Sequence, residues 1–372
     1  MLTYDEQLAW IKINAFSYLR ADWLDNLFDI FKTGAEILKQ DAHTLSEESK
    51  ISLQTAQNFL KLTAALDAER EMERTQKAGG KIVFKGHSGY PQALLDIKEP
   101  PLALYIRGSI DEDNAVPVAI VGTRKITPYG RRAASQLAQD LVSTGVTLVS
   151  GLARGIDSCA HAASVRAGRP TWALIGTGIG RCYPAENREL AIGVLDNGGA
   201  IISELPFDAA PLAPHFPRRN RLIAGLSKVV CVIEGEAKSG ALITAKMALE
   251  QGKDVLAVPG PIDSPQSAGT NRLIKDGAAM ITSALDIIDA LPLDCKVKLN
   301  TKNLEAGIDA PQEGFSAQEK LMLEAIGEGS KTIDDIALII KSDISEIAGI
   351  LFTLEVSGAV MCQDGKYSKR KI

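Results

Sequence analysis

Between residues 118 and 258 the chain holds six short apolar runs rich in valine and isoleucine. They are VAIVG (118–122), VTLVS (146–150), TWALI (171–175), AIIS (200–203), VVCVI (229–233) and VLAV (255–258). None alternates apolar with polar residues, so each strand must be covered on both faces. The stretches between them, such as YGRRAASQLAQDLVSTG and ALITAKMALEQG, carry helical spacing. Buried strands alternating with helices leave one main solution: an α/β fold with an extended, Rossmann-like, doubly wound and mainly parallel sheet. Ahead of the six runs, KIVFKG and LALYIRG are expected to add strands.

The flanks read differently. Residues 1–70 place apolar positions at helical spacing in LAWIKI, WLDNLFDIF and AEILKQ, which predicts a small helical module. A sterile-alpha-motif-like (SAM-like) domain is the expectation for it, although helix content alone does not establish that. The segment DAEREMERTQK (67–77) reads as a charged helix end or linker, and 71–291 as the Rossmann-like domain. Residues 292–314 lack periodicity and form a linker. Residues 315–372 suggest three helices and a hairpin, the plan of a winged helix. Ser316 with Glu319, and Thr332 with Asp335, are spaced as helix N-caps. One helix ends at Gly358, and Asp364-Gly365 marks the hairpin turn.

Five cysteines at wide spacings with no CxxC suggest neither a disulfide framework nor a zinc site. No apolar run approaches the ~20 residues that cross a bilayer. The start MLTYDEQLAWIK lacks the layout of a signal peptide. A cytoplasmic protein with no membrane association is expected. The net charge of −5 excludes a wholly basic nucleic-acid coat but not a local basic site.

Ligands of open parallel sheets gather beyond the carboxyl ends of the strands. There the sequence places glycine turns: Gly122-Thr123-Arg124-Lys125, Gly151 to Asp157 with Arg154 and Gly155, Gly176-Thr177-Gly178, and Ser239-Gly240 before a helix. Each alone is as consistent with tight strand–helix packing as with a phosphate cradle; together they favour the cradle. No GxxxxGK[ST] is present, and GTGIG is not a dinucleotide fingerprint.

The segment HFPRRNRLIAGLS (215–227) puts three arginines in four positions of an acidic chain. Arg218 and Arg221 are three apart and share a helix face. Arg221 is expected to pair with Glu204 or Glu234 at neighbouring strand ends, and Arg218 to meet phosphate. Phe216 suits either base stacking or the core. Arg131 and Arg132 read as a solvated face, and His161 as a packed histidine. The four histidines show no metal spacing. No metal, cofactor or catalytic constellation is called for.

The motifs VAIVGTRKITPYGRRAASQLA, VSGLARGIDSCAHAAS, GTGIGRCYPAEN, SELPF, HFPRRNRLIAGLS, SGALITAKMALEQG, VPGPI and GTNRLIKDGA occur in that order. From about 81 to 283 the chain resembles the DprA/Smf (DNA-processing protein A) family. The resemblance implies a non-catalytic protein that binds single-stranded DNA, protects it and loads RecA onto it in natural transformation. It also implies a homodimer through the Rossmann domain. By the family pattern Gly122, Thr123 and Arg124 contact the DNA backbone, and Phe216 to Arg221 lie by the same basic pocket. Where some members carry a lysine before His-Phe-Pro, this chain has Ala213 and Pro214; Arg218 or Arg219 is expected to supply the charge.

The resulting set of DNA-binding residues is Gly122, Thr123, Arg124, Lys125, Gly151, Arg154, Gly176, Gly178, Phe216, Arg218, Arg219, Asn220, Ser239 and Gly240. Arg221, Glu204 and Glu234 are assigned to a structural ion pair. The expected third helix of the C-terminal module, DISEIAGILFTLEVSG, carries Asp343, Glu346 and Glu355 but no cation, which favours a protein partner, or packing on its own chain, over duplex DNA. Two competing readings are a phosphoribohydrolase-like enzyme and an adaptor with a vestigial pocket. Against the first, VPGPI and GTNR are well separated where such enzymes have one PGGxGT-like segment.

Overall fold

A computed structural model describes residues 2–16, 21–301, 304, 316–327, 329–340, 342–356, 359–363 and 365–369. The chain divides into two compact units, Met1–Thr301 and Lys302–Ile372.

The first unit opens with six helices: α1 (Tyr4–Asn14), α2 (Ala21–Phe31), α3 (Gly34–Leu38), α4 (Ala42–Ser49), α5 (Leu53–Ala65) and α6 (Ala68–Lys77). Their starts follow the capping chemistry of the sequence. Thr3, Asp41, Ser52 and Asp67 each accept a hydrogen bond from a first-turn N–H. The charged segment expected to be a helix end or linker is thus a whole helix, α6. Trp23, Leu27, Ile37, Leu45 and Phe59 fill the helical core.

The sheet then forms from β1 (Gly80–Phe84), β2 (Ala103–Gly108), β3 (Pro117–Val121), β4 (Thr147–Ser150), β5 (Thr171–Leu174), β6 (Ala200–Ser203), β7 (Val229–Val232), β8 (Asp254–Ala257) and β9 (Ala279–Met280). Their order is β1-β2-β6-β5-β4-β3-β7-β8-β9. The run from β6 to β9 is parallel, whereas β2 pairs antiparallel with β6 and β1 antiparallel with β2. All six buried runs are strands. The ninth, β9, is two residues long and carries no sequence pattern.

The helices α7 (Pro128–Thr144), α8 (Ile156–Arg166) and α9 (Arg188–Asp196) connect β3 to β6 in turn. α10 (His215–Leu226) carries the chain back across β3, β4 and β5, and α11 (Gly240–Glu250) and α12 (Ala268–Lys275) continue beyond β7. Successive residues of one strand feed opposite cores. Trp172 and Leu174 pack with Leu222, Ile223 and Ala245, while Ala173 and Ile175 pack with Val194 and Phe207. The unit ends with α13 (Ala284–Asp289) and α14 (Leu293–Lys296).

Polar contacts bind the helical region to the sheet. Asn14 at the end of α1 donates to the carbonyls of Ala103 (3.0 Å) and Glu204 (2.7 Å), and Glu71 of α6 accepts from the Phe207 N–H at 2.7 Å.

The second unit contains α15 (Ala317–Ile326), α16 (Ile333–Ile340) and α17 (Ile344–Val356) around Met322, Ile326, Ile336, Ile347 and Leu351. The Ser316–Glu319 capping box forms, and Thr332 and Asp335 exchange hydrogen bonds. A short strand beyond the expected hairpin, β10 (Ser330–Thr332), pairs with β12 (Lys366–Lys369), which also pairs with β11 (Val360–Gln363). Gly358 and Asp364 lie outside the described residues.

Candidate nucleic-acid interface

The loop after β3 is clamped before it reaches solvent. Thr123 is buried; its N–H donates to the Glu234 carbonyl at 2.8 Å and its Oγ1 accepts from the Lys125 N–H at 3.1 Å. Gly122 is required by packing, since a Cβ there would lie 2.4 Å from the Ile156 side chain. Gly155 has a φ of +79°, and a Cβ would meet the Thr123 carbonyl oxygen at 2.3 Å. The loops after β3 and β4 therefore lie backbone against backbone, and Arg124 and Lys125 are left exposed at their tip.

Arg124 places its guanidinium 4.9 Å from the centre of the Phe216 ring, in the first turn of α10. Tyr183 also meets that ring, with centroids 5.5 Å apart and the planes tilted by 44°. Gly176 lets Phe216 approach, because a Cβ would lie 2.8 Å from the ring. Arg124, Arg154, Gly151, Gly176, Phe216 and Tyr183 line one cleft at the carboxyl edge of β3 to β5, together with Ala153 and Pro184. Arg154 is exposed and ion-paired with Glu186. The cleft thus combines two guanidinium groups, two aromatic rings and glycine backbone in its lining, elements that can hold a phosphate backbone and stack an unpaired base.

The structure does not bring the other expected residues into this cleft, and each departure has a cause. Arg219 is 4% exposed. Its Nη1 donates to the carbonyls of Gly151 (2.7 Å) and Leu174, and its Nε to Asn220 Oδ1 at 3.1 Å. It is an interior brace, not a phosphate contact, and Gly151 is glycine partly because a Cβ would lie 2.5 Å from that guanidinium. Burial lowers the Arg219 pKa to about 10, against the opposing pull of Asp157. Asp157 accepts from the Gly151 N–H at 3.1 Å and the Ala153 N–H at 3.3 Å, so the β4–α8 loop is held from inside. His161 is fully buried, hydrogen-bonded to Thr171 at 2.9 Å; burial and then the Arg219 charge lower its pKa to about 3.

Arg218 and Arg221 do share a face, and both reach Glu204. Arg218 lies 3.3 Å from it, and Arg221 donates to its second oxygen. Arg218 lines a hollow with Asn14 and Pro101, away from the Arg124 cleft. Glu234 has no arginine partner among the described residues: it accepts from the Thr127 N–H at 3.1 Å and from the Thr127 hydroxyl, capping α7. Gly130 belongs to that cap, for a Cβ would fall 2.0 Å from the carboxylate. Gly178 packs on the carbonyls of Pro206 and Phe207. Asn220 is buried and donates to the Gly240 carbonyl at 3.3 Å; Gly240 is exposed and Ser239 precedes α11 without a side-chain cap. Ser239 and Gly240 line a different part of the sheet edge.

Sequence reasoning assigned no role to Tyr183 and Pro184. An aromatic followed by proline in the turn after a glycine-rich strand end was the available signal.

The DNA recombination-mediator protein A family model matches residues 81–292. Protein Smf of Escherichia coli K12 is 32% identical over 96% of this chain and 94% of its own length. The DNA processing protein DprA of Bacillus subtilis is 43% identical over 63% of this chain and 77% of its own. Among solved structures, DNA processing protein A from Streptococcus pneumoniae superposes with a TM-score of 0.65 at 29% identity, covering 79% of this chain and all of that one. The Helicobacter pylori protein, described for its single-stranded DNA binding mode, gives a TM-score of 0.51 at 32% identity over 56% of this chain and 94% of its own.

Proposed function

Since the chain belongs to the DNA recombination-mediator protein A family, we propose that it binds single-stranded DNA without catalysing a reaction on it, protects the incoming strand and loads RecA onto it during natural transformation. The observation that carries this reading is the stacking of Arg124 on Phe216 in a cleft lined by the backbone of Gly151 and Gly176. Arg124, Lys125 and Arg154 supply charge to the phosphates, and Phe216 and Tyr183 supply faces to the bases. Arg219, Asn220 and Gly178 hold the loops behind them. Backbone contacts of this kind carry no sequence information. A cleft bounded by two close loops and a ring admits an unpaired strand and excludes a duplex.

The protein acts in the cytoplasm as a homodimer through the sheet-bearing unit, which doubles the clefts and raises avidity. The second unit is a winged helix that meets protein, in keeping with the absence of cations in its longest helix.

Fluorescence anisotropy with single-stranded and duplex oligonucleotides at several salt concentrations tests the reading. The parent should prefer the single strand. Arg124→Ala should weaken binding at least about tenfold and make the log–log salt slope shallower by about 0.7, the value for one single-strand phosphate. Equal affinity for duplex would sink the single-strand reading; a variant that binds like its parent would sink the placement of the site.

A further inference from the structure

A second basic cavity lies on the far side of the loops that wall the cleft. Its volume is about 560 Å³, and three of the residues lining it are Arg107, Arg181 and Arg188. Among the described residues no carboxylate lines it. Among the described residues neither Arg107 nor Arg188 makes an ion pair, and Arg181 donates through Nε to the Asp208 carbonyl at 2.6 Å. Three guanidinium groups without a lining carboxylate are unexpected on a chain of net charge −5.

The floor is aliphatic and includes Leu152, Ile175 and Ile201. Leu152 reaches it by taking a left-handed φ of 54°, an unfavourable conformation for a leucine that nonetheless buries its side chain. One face of α9, Arg188 with Ala191 and Leu195, forms the side.

The same loops line both cavity and cleft, with neighbouring residues of each loop divided between the two. Gly151 and Ala153 face the cleft while Leu152 faces the cavity; Gly176 faces one and Ile175 the other; Tyr183 and Pro184 line the cleft, Cys182 and Ala185 the cavity. A chain leaving the cleft over the 182–185 turn meets the arginine rim next. We propose that this cavity is a second seat for the same single strand, with Arg107 and Arg188 on the phosphates of the nucleotides that follow those in the cleft and the aliphatic floor under their unstacked bases. This rests on the single-strand reading above.

The test compares oligothymidylates of about six and about twenty nucleotides on the full chain. An Arg107→Ala, Arg188→Ala double variant should bind the short strand like its parent. It should lose the affinity gained on lengthening, by about tenfold, with a salt slope shallower by about 1.4, twice the single-phosphate value. Cys182 offers a direct readout, being exposed at the wall. A long strand carrying a thiol-reactive group beyond its sixth nucleotide should label the parent and not Cys182→Ser. Excess unlabelled strand should suppress labelling, and millimolar thymidine monophosphate should not. If the double variant binds both lengths like its parent while Arg124→Ala still weakens both, the cavity lies off the strand and this proposal is overturned with the cleft intact. Suppression by the free nucleotide would overturn it in favour of a small-molecule site. A parent that binds neither strand would remove the cleft reading and this one together.

Discussion

Arg124 and Arg154 stand exposed at two loop tips, whereas Arg219 and Arg221, on the helix that crosses beneath, are buried. The outer pair meets a ring face and a solvated glutamate. The inner pair is fixed by backbone carbonyls and by one interior carboxylate. Burying a guanidinium carries a desolvation cost, offset only where its planar fork finds good acceptors. Carbonyls at the ends of β4 and β5 provide them for Arg219. The contrast shows how an acidic protein makes a local basic surface: interior arginines set the loops, and different arginines are left exposed at their tips.

The sharpest way to break that division is Arg221→Ala. It leaves Glu204, 5% exposed, with Arg218 alone. Removing one partner of a buried ion pair costs about 3–5 kcal/mol, since the remaining charge stays desolvated. Denaturant unfolding should show a loss of that size, much of it recovered by adding Glu204→Gln. By contrast Arg124→Ala should leave the unfolding midpoint unchanged. A loss below about 1 kcal/mol for Arg221→Ala would mean the inner pair is not structural in the sense argued.

His161 sharpens the comparison through pH. Its pKa falls from 6.5 to about 3 on folding, first by burial and then by the charge of Arg219. A neutral imidazole in the folded state means that the unfolded chain binds more protons below pH 6.5. The contribution to stability is therefore complete above pH 6.5 and lost progressively as pH falls toward 3. At pH 5 the loss is about 2 kcal/mol, from 1.36 kcal/mol per pH unit over one and a half units. His161→Gln should flatten the stability profile between pH 6.5 and 4 relative to the parent. An unchanged slope would show that the interior around Arg219 admits a second positive charge.

The sheet was legible because burial on both faces writes a continuous apolar run, and each of the six became a strand. The capping residues Ser316, Glu319, Thr332 and Asp335 were legible because their chemistry is local. The i, i+3 spacing of Arg218 and Arg221 correctly put both on one face, and Glu204 was named as a candidate partner. Which glutamate they meet was not legible, since Glu204 and Glu234 both end a strand in sequence. The topology decides it: β7 lies beside β3, so Glu234 faces the start of α7 and caps it. Arg219 was misplaced for a related reason. Three clustered arginines look alike in sequence, and only the crossing of α10 over β3, β4 and β5 sets Arg219 against the carbonyls of Gly151 and Leu174. Tyr183 comes to Phe216 through a turn whose path no spacing rule encodes.

The smallest effect probes the outer set. Glu186 holds Arg154 in an exposed ion pair, which lowers the Glu186 pKa through the hydrogen bond between them. Exposed pairs contribute little to stability and are screened by salt. Glu186→Gln should therefore leave the unfolding midpoint unchanged. It also removes a negative charge from the mouth of the cleft and releases Arg154 to a phosphate. Single-strand affinity should rise about twofold at low salt, with the gain fading above a few tenths molar salt as the Debye length contracts. A fall in affinity would carry the opposite lesson. Glu186 would then be aiming Arg154 at the strand, and the outer arginines would depend on a protein partner just as the inner ones do.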